Sequence, residues 1–389
     1  MKRSTNRILT THAGRLNGPA ELTQATQAIQ RGQSTDIEAV MPLIRQSMAG
    51  VIKQQDETGI DIISDGELGK IGFGLTYYGK RLTGLGTRPV REGEAATMSG
   101  MTNERKEFAD FYASLNFGGG GANAQTQRVI CNGPISYIGQ EEVKRDIELF
   151  KSSLEASGVK PEETFMCVLA PGWLEHFFYN EYYKDDEAYL FALADAMREE
   201  YKAVVDAGFI LQLDDPGLPD TYDMIIPHPS IEDYRKFAEV RIAAMNRGLQ
   251  GIPADRVRYH ICWGSWHGPH VYDIELKHVV DLMLEVDAEA YSVEAANPRH
   301  EHEWKVWRDT KLPAGKILIP GVVSHASNVV EHPELVADRI IQYAELVGKE
   351  NVIAGTDCGM GNRVHPQIGW AKFKALSEGA AMASKQLFG

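Results

Sequence analysis

Five residues whose types suit metal-assisted thiol chemistry are spread down the second half of the chain: His260, Cys262, Glu294, His325 and Cys358. Thirty-four positions separate His260 from Glu294, 31 separate Glu294 from His325, and 33 separate His325 from Cys358. Residues two apart on a strand share a face, so His260 and Cys262 can reach one ion. With Cys358 they make two sulfurs and one nitrogen, a donor set that selects zinc over magnesium or calcium. Glu294 can add an oxygen as fourth ligand, the one most readily exchanged for an incoming thiolate. Zinc does no redox chemistry, but it keeps a bound thiol deprotonated near neutral pH, and the thiolate is the nucleophile. Two rivals remain open: a zinc hydrolase, although two thiolates quench the Lewis acidity such an enzyme needs, and a purely structural zinc. Cys131 and Cys167 have no partner at this spacing and are assigned to the core. His267 and His270 are expected at the mouth of the site or as rival ligands. His300 and His302, in a charged run, are expected in solvent.

Each interval is about one strand-plus-helix unit, and the elements between the residues follow that rhythm. Apolar, mostly β-branched runs occur at 8–11, 60–64, 165–169, 209–213, 257–262, 290–293, 317–323 and 352–355. Amphipathic stretches at 187–206, 231–246, 273–286 and 333–347 separate the later ones, and Thr35–Glu38 reads as a capping box opening an earlier helix. Eight strands alternating with helices predict an α/β fold, a single (β/α)8 TIM barrel over 1–389, with the chemistry at the C-terminal strand ends. No Gly-rich nucleotide loop follows an early strand, which argues against an open doubly wound sheet. Residues 68–140 break the rhythm and are expected to form an insertion over the C-terminal face. Its Gly118–Gly121 run reads as a turn.

Composition removes other classes. The 389 residues carry a net charge of −14 with no basic cluster, which excludes a nucleic-acid binder. No apolar run is long enough to span a membrane and no signal peptide opens the chain. Four cysteines are too few for a disulfide scaffold and suit a cytoplasmic protein with reduced thiols. Homo-oligomer formation is left open.

The stretches Tyr259–Cys262, Val286–Glu294 and Gly355–Gly359 resemble the zinc-site blocks of the C-terminal catalytic domain of cobalamin-independent methionine synthase, in the same order. Thr10–Gly14, Gly66–Glu67 and Leu213–Pro216 extend the likeness over most of the chain. The resemblance implies a zinc-dependent methyltransferase with Zn2+ on His260, Cys262, Glu294 and Cys358. It implies that Glu67 and Asp214 hold the amino group of homocysteine, with His12, Arg15 and Asp215 as further substrate contacts. His325 matches the family's proton-shuttling histidine with an offset of one residue. The methyl donor would be a methyl-folate. Two departures stand out. Only one of the full enzyme's two barrels is present, and Arg15 replaces the serine of a Gly-Ser motif. Arginine could grip a carboxylate or a sulfonate. A second resemblance, to epoxyalkane:coenzyme M transferase, implies opening of an epoxide by the thiol of coenzyme M.

Overall fold

The computed structural model describes residues 1–30, 33, 36–72, 77–91, 102–114, 127–264 and 266–389. Its strands, in chain order, are β1 (Leu9–Thr10), β2 (Ile62–Ser64), β3 (Leu85–Pro89), β4 (Gln127–Cys131), β5 (Glu163–Leu169), β6 (Tyr179–Asn180), β7 (Ile210–Asp214), β8 (Val257–Ile261), β9 (Ala290–Val293), β10 (Ile317–Val323) and β11 (Ile353–Thr356). Eight of them form one parallel sheet in the order β1-β11-β10-β9-β8-β7-β5-β2. A parallel bridge between Thr11 and Ile62 brings the two ends of that sheet together, so it is a TIM-type barrel. The eight apolar runs of the sequence correspond to these eight strands.

Inside the barrel, Leu9, Ile62, Phe165, Cys167, Ile210, Ala290, Ile317, Ile319 and Ile353 form one buried cluster. β8 contributes a cation to this layer. Arg258 is fully buried, donates to Thr11 Oγ1 and the His12 carbonyl at 2.9 Å each, and lies 4.1 Å from the Phe165 ring centroid. Helices at Met41–Glu57, Gln140–Ser157, Asp186–Asp206, Ile231–Gly248, Pro333–Val347 and Pro366–Phe388 pack outside. Local chemistry fixes their starts: Asp185 and Ser230 accept from amides of the first turn, and proline fills an early position at 42, 333 and 366. The helix expected from Thr35 begins later, at Met41, and Thr35 itself lies outside the described residues. The helix expected over 273–286 is shorter, a 3-10 turn at Leu276–His278 and a helix at Val280–Leu284. Tertiary bonds compete there, because the Leu276 amide donates to Glu303 Oε1 at 2.7 Å.

β3 and β4 pair antiparallel from Leu85–Cys131 to Pro89–Gln127, and β6 joins β4 in parallel. Between β3 and β4, Thr102–Glu107 and Ala109–Ser114 are helical. Amides of Asn103 and Glu104 donate to Asp223 Oδ1, and the Val271 amide donates to Glu104 Oε2 at 2.8 Å. This segment therefore rests on the helix Gly217–Met224 after β7 and on the loop after β8, on the C-terminal side of the barrel. The Gly118–Gly121 run lies outside the described residues. No described helix is long and apolar enough to cross a membrane.

Candidate active site

His260 and Cys262 leave the end of β8, and Cys358 follows β11. Their ligand atoms all lie within 4.8 Å of one another, and all three residues are buried. Four-coordinate zinc with legs of about 2.0–2.3 Å needs its donors roughly 3.5–4 Å apart, so this trio is of the right size. His260 Nδ1 is 3.0 Å from Ser292 Oγ on β9, whereas its Nε2 is buried with no hydrogen-bond partner among the described residues. Such an orphan is costly unless something else binds it. A hydrogen bond from Cys262 is the largest influence holding the Cys358 thiol well below its usual range, and His260 and His325 add to it against burial. The same bond and burial push Cys262 up. An imidazole nitrogen and two sulfurs, one already inclined to ionise, fit a zinc ion.

The Cys358 loop is pinned on both sides. Asp357 Oδ1 accepts from the amides of Ala295 at 2.7 Å and Ala296 at 2.8 Å, tying the β11 end to the β9 end. Gly359 and Gly361 press on Arg15: a Cβ at Gly359 would come 2.8 Å from the Arg15 nitrogen, and one at Gly361 2.6 Å from Arg15 Cγ.

Glu294 and His325 are brought close to the trio but form a separate group with Asp357, again within 4.8 Å of one another. Glu294 accepts from the Trp263 amide at 3.2 Å and from Asn297 Nδ2 at 2.6 Å. Burial first, then Asp357 and Cys358, hold its carboxyl well above the usual range. His325 is buried with Nδ1 unpartnered among the described residues, and burial lowers its pKa to about 4. Its carbonyl accepts from His267 Nε2 at 3.2 Å, which places His267 at the mouth.

A cleft of about 220 Å³ opens over the trio, lined by Arg15, Glu67, Trp173, Asp214 and Arg363 together with His260, Cys262 and Cys358. Glu67, Cys167 and Asp214 converge within 4.8 Å as a second group, and Asp214 on β7 is the register partner of His260 on β8. Asp214 Oδ1 accepts from Gln212 Nε2 at 2.6 Å; burial and then Glu67 raise its pKa to about 7. Glu67 has φ +57° and follows Gly66 at φ +62°, a sparsely populated conformation for a side-chain-bearing residue that turns its carboxylate inward. Gly14, at φ +120°, leaves room for it, since a Cβ there would sit 2.9 Å from Glu67 Oε1 and 3.0 Å from Cys167 Sγ.

His12 and Asp215 do not line the cleft. His12 is buried with Nε2 2.8 Å from Gln55 Oε1 and Nδ1 accepting from the Gly14 amide at 3.2 Å, so its ring braces the Gly14 turn. Asp215 is buried and accepts from Tyr259 at 2.6 Å. Trp173 reaches the cleft, whereas Tyr183 turns to the small sheet and accepts from the Ile135 amide at 2.9 Å.

Cys167, assigned to the core, is buried in the barrel's core cluster as expected and lies beside Glu67 and Asp214. Three residues escaped the sequence reading. Lys70 and Arg363 carried no motif, although Lys70 stands three positions after Glu67 and Arg363 five after Cys358. His300 is corrected: it is 3% exposed, not solvated. Its ring bonds Asp273 Oδ2 at 2.9 Å and Glu303 Oε2 at 2.8 Å, and it stacks on Trp263 with centroids 3.9 Å apart. These bonds outweigh burial and raise its pKa to about 9. The His300–Glu303 spacing of one helical turn was the available signal. His302 is exposed as expected.

Fold and site together define an α/β-barrel protein with a soft-donor group that could hold a metal ion and a carboxylate pair at its C-terminal mouth. The chain belongs to the family of cobalamin-independent synthase catalytic domains, whose family model matches residues 175–383. That stretch contains Asp214, His260, Cys262, Glu294, His325 and Cys358, and leaves Arg15 and Glu67 outside. The methionine synthase of Saccharolobus solfataricus is 28% identical over 223 residues, 57% of this chain and 59% of that protein. The methionine synthase of Thermococcus kodakarensis is 21% identical over 347 residues, 88% of this chain and 84% of that protein. Among solved structures, a B12-independent methionine synthase from a Shewanella species, in complex with selenomethionine, has the same fold, with a TM-score of 0.68 at 19% identity over 98% of this chain and 99% of that one.

Proposed function

We propose that this chain, a single barrel with residues 68–140 inserted over its C-terminal face, transfers a methyl group to the thiol of homocysteine. His260, Cys262 and Cys358 would hold a zinc ion, with Glu294 as the exchangeable fourth ligand. The observation that carries this reading is the buried, unpartnered His260 Nε2 beside two thiols, opening on a cleft that the Glu67–Asp214 pair also lines. A zinc ion bound there supplies one thing, a substrate thiol kept as thiolate at neutral pH.

The protein's residues supply the rest. Glu67 and Asp214 take the substrate ammonium, and Arg15 takes its carboxylate, so the sulfur is presented from a fixed direction. Orientation of this kind lowers the entropic part of the barrier. The substrate sulfur attacks the methyl carbon of a methyl-folate in line. The carbon–nitrogen bond breaks, its electron pair returns to the amine, and His325 relays to the amine the proton given up by the substrate thiol. Trp173 closes one side of the cleft and keeps water off the reacting pair. Four cysteines with no disulfide among them suit the reducing interior of the cytoplasm.

A second reading is favoured by the two guanidinium groups, Arg15 and Arg363, at the same cleft: they would suit the sulfonate of coenzyme M, with an epoxide as electrophile. The carboxylate pair has no counterpart in that substrate. Zinc-loaded protein incubated with homocysteine and methyl-folates, and separately with coenzyme M and epoxypropane, decides between them by mass spectrometry of the thioether. Methionine formed only in the first mixture supports the proposal; a thioether only in the second replaces it.

A further inference from the structure

Lys70 is only 6% exposed, and its ammonium sits between Glu67 and the Cys167 backbone. Nζ donates to the Cys167 carbonyl at 2.6 Å and pairs with Glu67 Oε2 at 3.2 Å. The Lys70 carbonyl in turn accepts from Arg15 Nη2 at 3.3 Å. One residue thus touches both groups assigned to an amino-acid substrate: Glu67 by its side chain and Arg15 by its backbone. A buried lysine is rare unless paired, and this one is paired to a carboxylate that itself has work to do.

At this wall Lys70 is paired to Glu67, while burial and Glu67 hold the neighbouring Asp214 toward its protonated form. Lys70 divides the labour of the Glu67 carboxylate. It engages Oε2, while Oε1 lies on the Gly14 side, where the missing Cβ leaves room.

We propose that Lys70 is a specificity-determining residue: by engaging one Glu67 oxygen and so fixing the direction of the other, it sets the cleft to accept a thiol bearing one ammonium group and to discriminate against a thiol without one. This rests on the reading of homocysteine as substrate and adds the residue that fixes its amino-group selectivity. Lys70 positions Glu67 and touches no reacting atom.

The test compares homocysteine with 4-mercaptobutyrate, which keeps the thiol and carboxylate and lacks the amino group. Binding to zinc-loaded wild type, Lys70→Met and Lys70→Arg is measured by calorimetry, with thermal unfolding of each variant alongside. Wild type should prefer homocysteine by about tenfold or more, since a site built for a charged donor loses that much when the donor is absent. Lys70→Met should bring the preference close to unity, with 4-mercaptobutyrate binding little changed, and Lys70→Arg should keep most of it. Equal weakening of both ligands in Lys70→Met makes Lys70 merely structural and overturns the proposal. If Lys70→Met does not fold, Lys70→Arg with the preference lost overturns it and with the preference kept sustains it. A wild type that binds homocysteine no better than 4-mercaptobutyrate removes the substrate reading itself, and the role of Lys70 with it. That failure shows in the wild type alone, so the two are distinguishable.

Discussion

Ser292 Oγ on β9 stands 3.0 Å from His260 Nδ1 on β8, and the two residues are opposite one another in the strand register. The neighbouring strand thus fixes the imidazole and leaves Nε2 as its free donor atom. Removing the hydroxyl with Ser292→Ala should weaken zinc binding by about tenfold, the usual cost of losing a partner behind a metal-bound histidine. Competition with a chromogenic chelator measures it, and the fold should be retained because the site is small and the change deletes one oxygen.

Gly14 has φ +120° and no space for a Cβ beside Glu67 and Cys167. Gly14→Ala should therefore cost about 1–3 kcal/mol of stability, from backbone strain and displacement of Glu67. It should also raise KM for homocysteine more than KM for the methyl donor. Urea unfolding and initial-rate kinetics read the two effects separately.

His300 gives a pH dependence. Its folded pKa is about 9 against an ordinary value of 6.5, so its protonated form is favoured in the folded state. A raised pKa stabilises fully below the unfolded value and loses that contribution as pH climbs through the folded one. Stability attributable to His300 should be complete below pH 6.5 and fall between there and pH 9, by roughly 3 kcal/mol at most. His300→Gln should flatten that part of the stability profile. Chemical denaturation at a series of pH values checks it.

Chelation separates a catalytic from a structural ion. The barrel core is continuous without a metal, so zinc removal should abolish thioether formation while shifting Tm by only a few degrees, about what 1 kcal/mol produces in a large domain. A structural ion would instead take the fold with it. Differential scanning calorimetry before and after chelation, with an activity assay on the same samples, gives the answer.

The strands and the sulfur–nitrogen trio were legible because both depend on short-range pattern. β-branched runs mark buried parallel strands, and a residue placed at a strand end is carried to the barrel mouth by the fold itself. His260, Cys262 and Cys358 needed no further information to meet. The places of Lys70 and Cys167 beside Glu67 were not legible, since they depend on β2 and β5 being neighbours and on which face each side chain takes. His300 was hidden because a histidine among charged residues looks solvated, and only the fold brings Asp273 and Glu303 around it. The same network breaks the 273–286 helix, where tertiary hydrogen bonds outweigh an amphipathic period. His12, within a matching motif, has both ring nitrogens engaged in supporting the Gly14 turn.

The central claim is that the substrate thiol binds as thiolate at the His260–Cys262–Cys358 group. Zinc-edge X-ray absorption of the loaded protein, recorded with and without homocysteine, tests it most directly. Addition of homocysteine should raise the zinc–sulfur coordination from two to three, with loss of an oxygen scatterer. An unchanged first coordination shell at saturating homocysteine would contradict it.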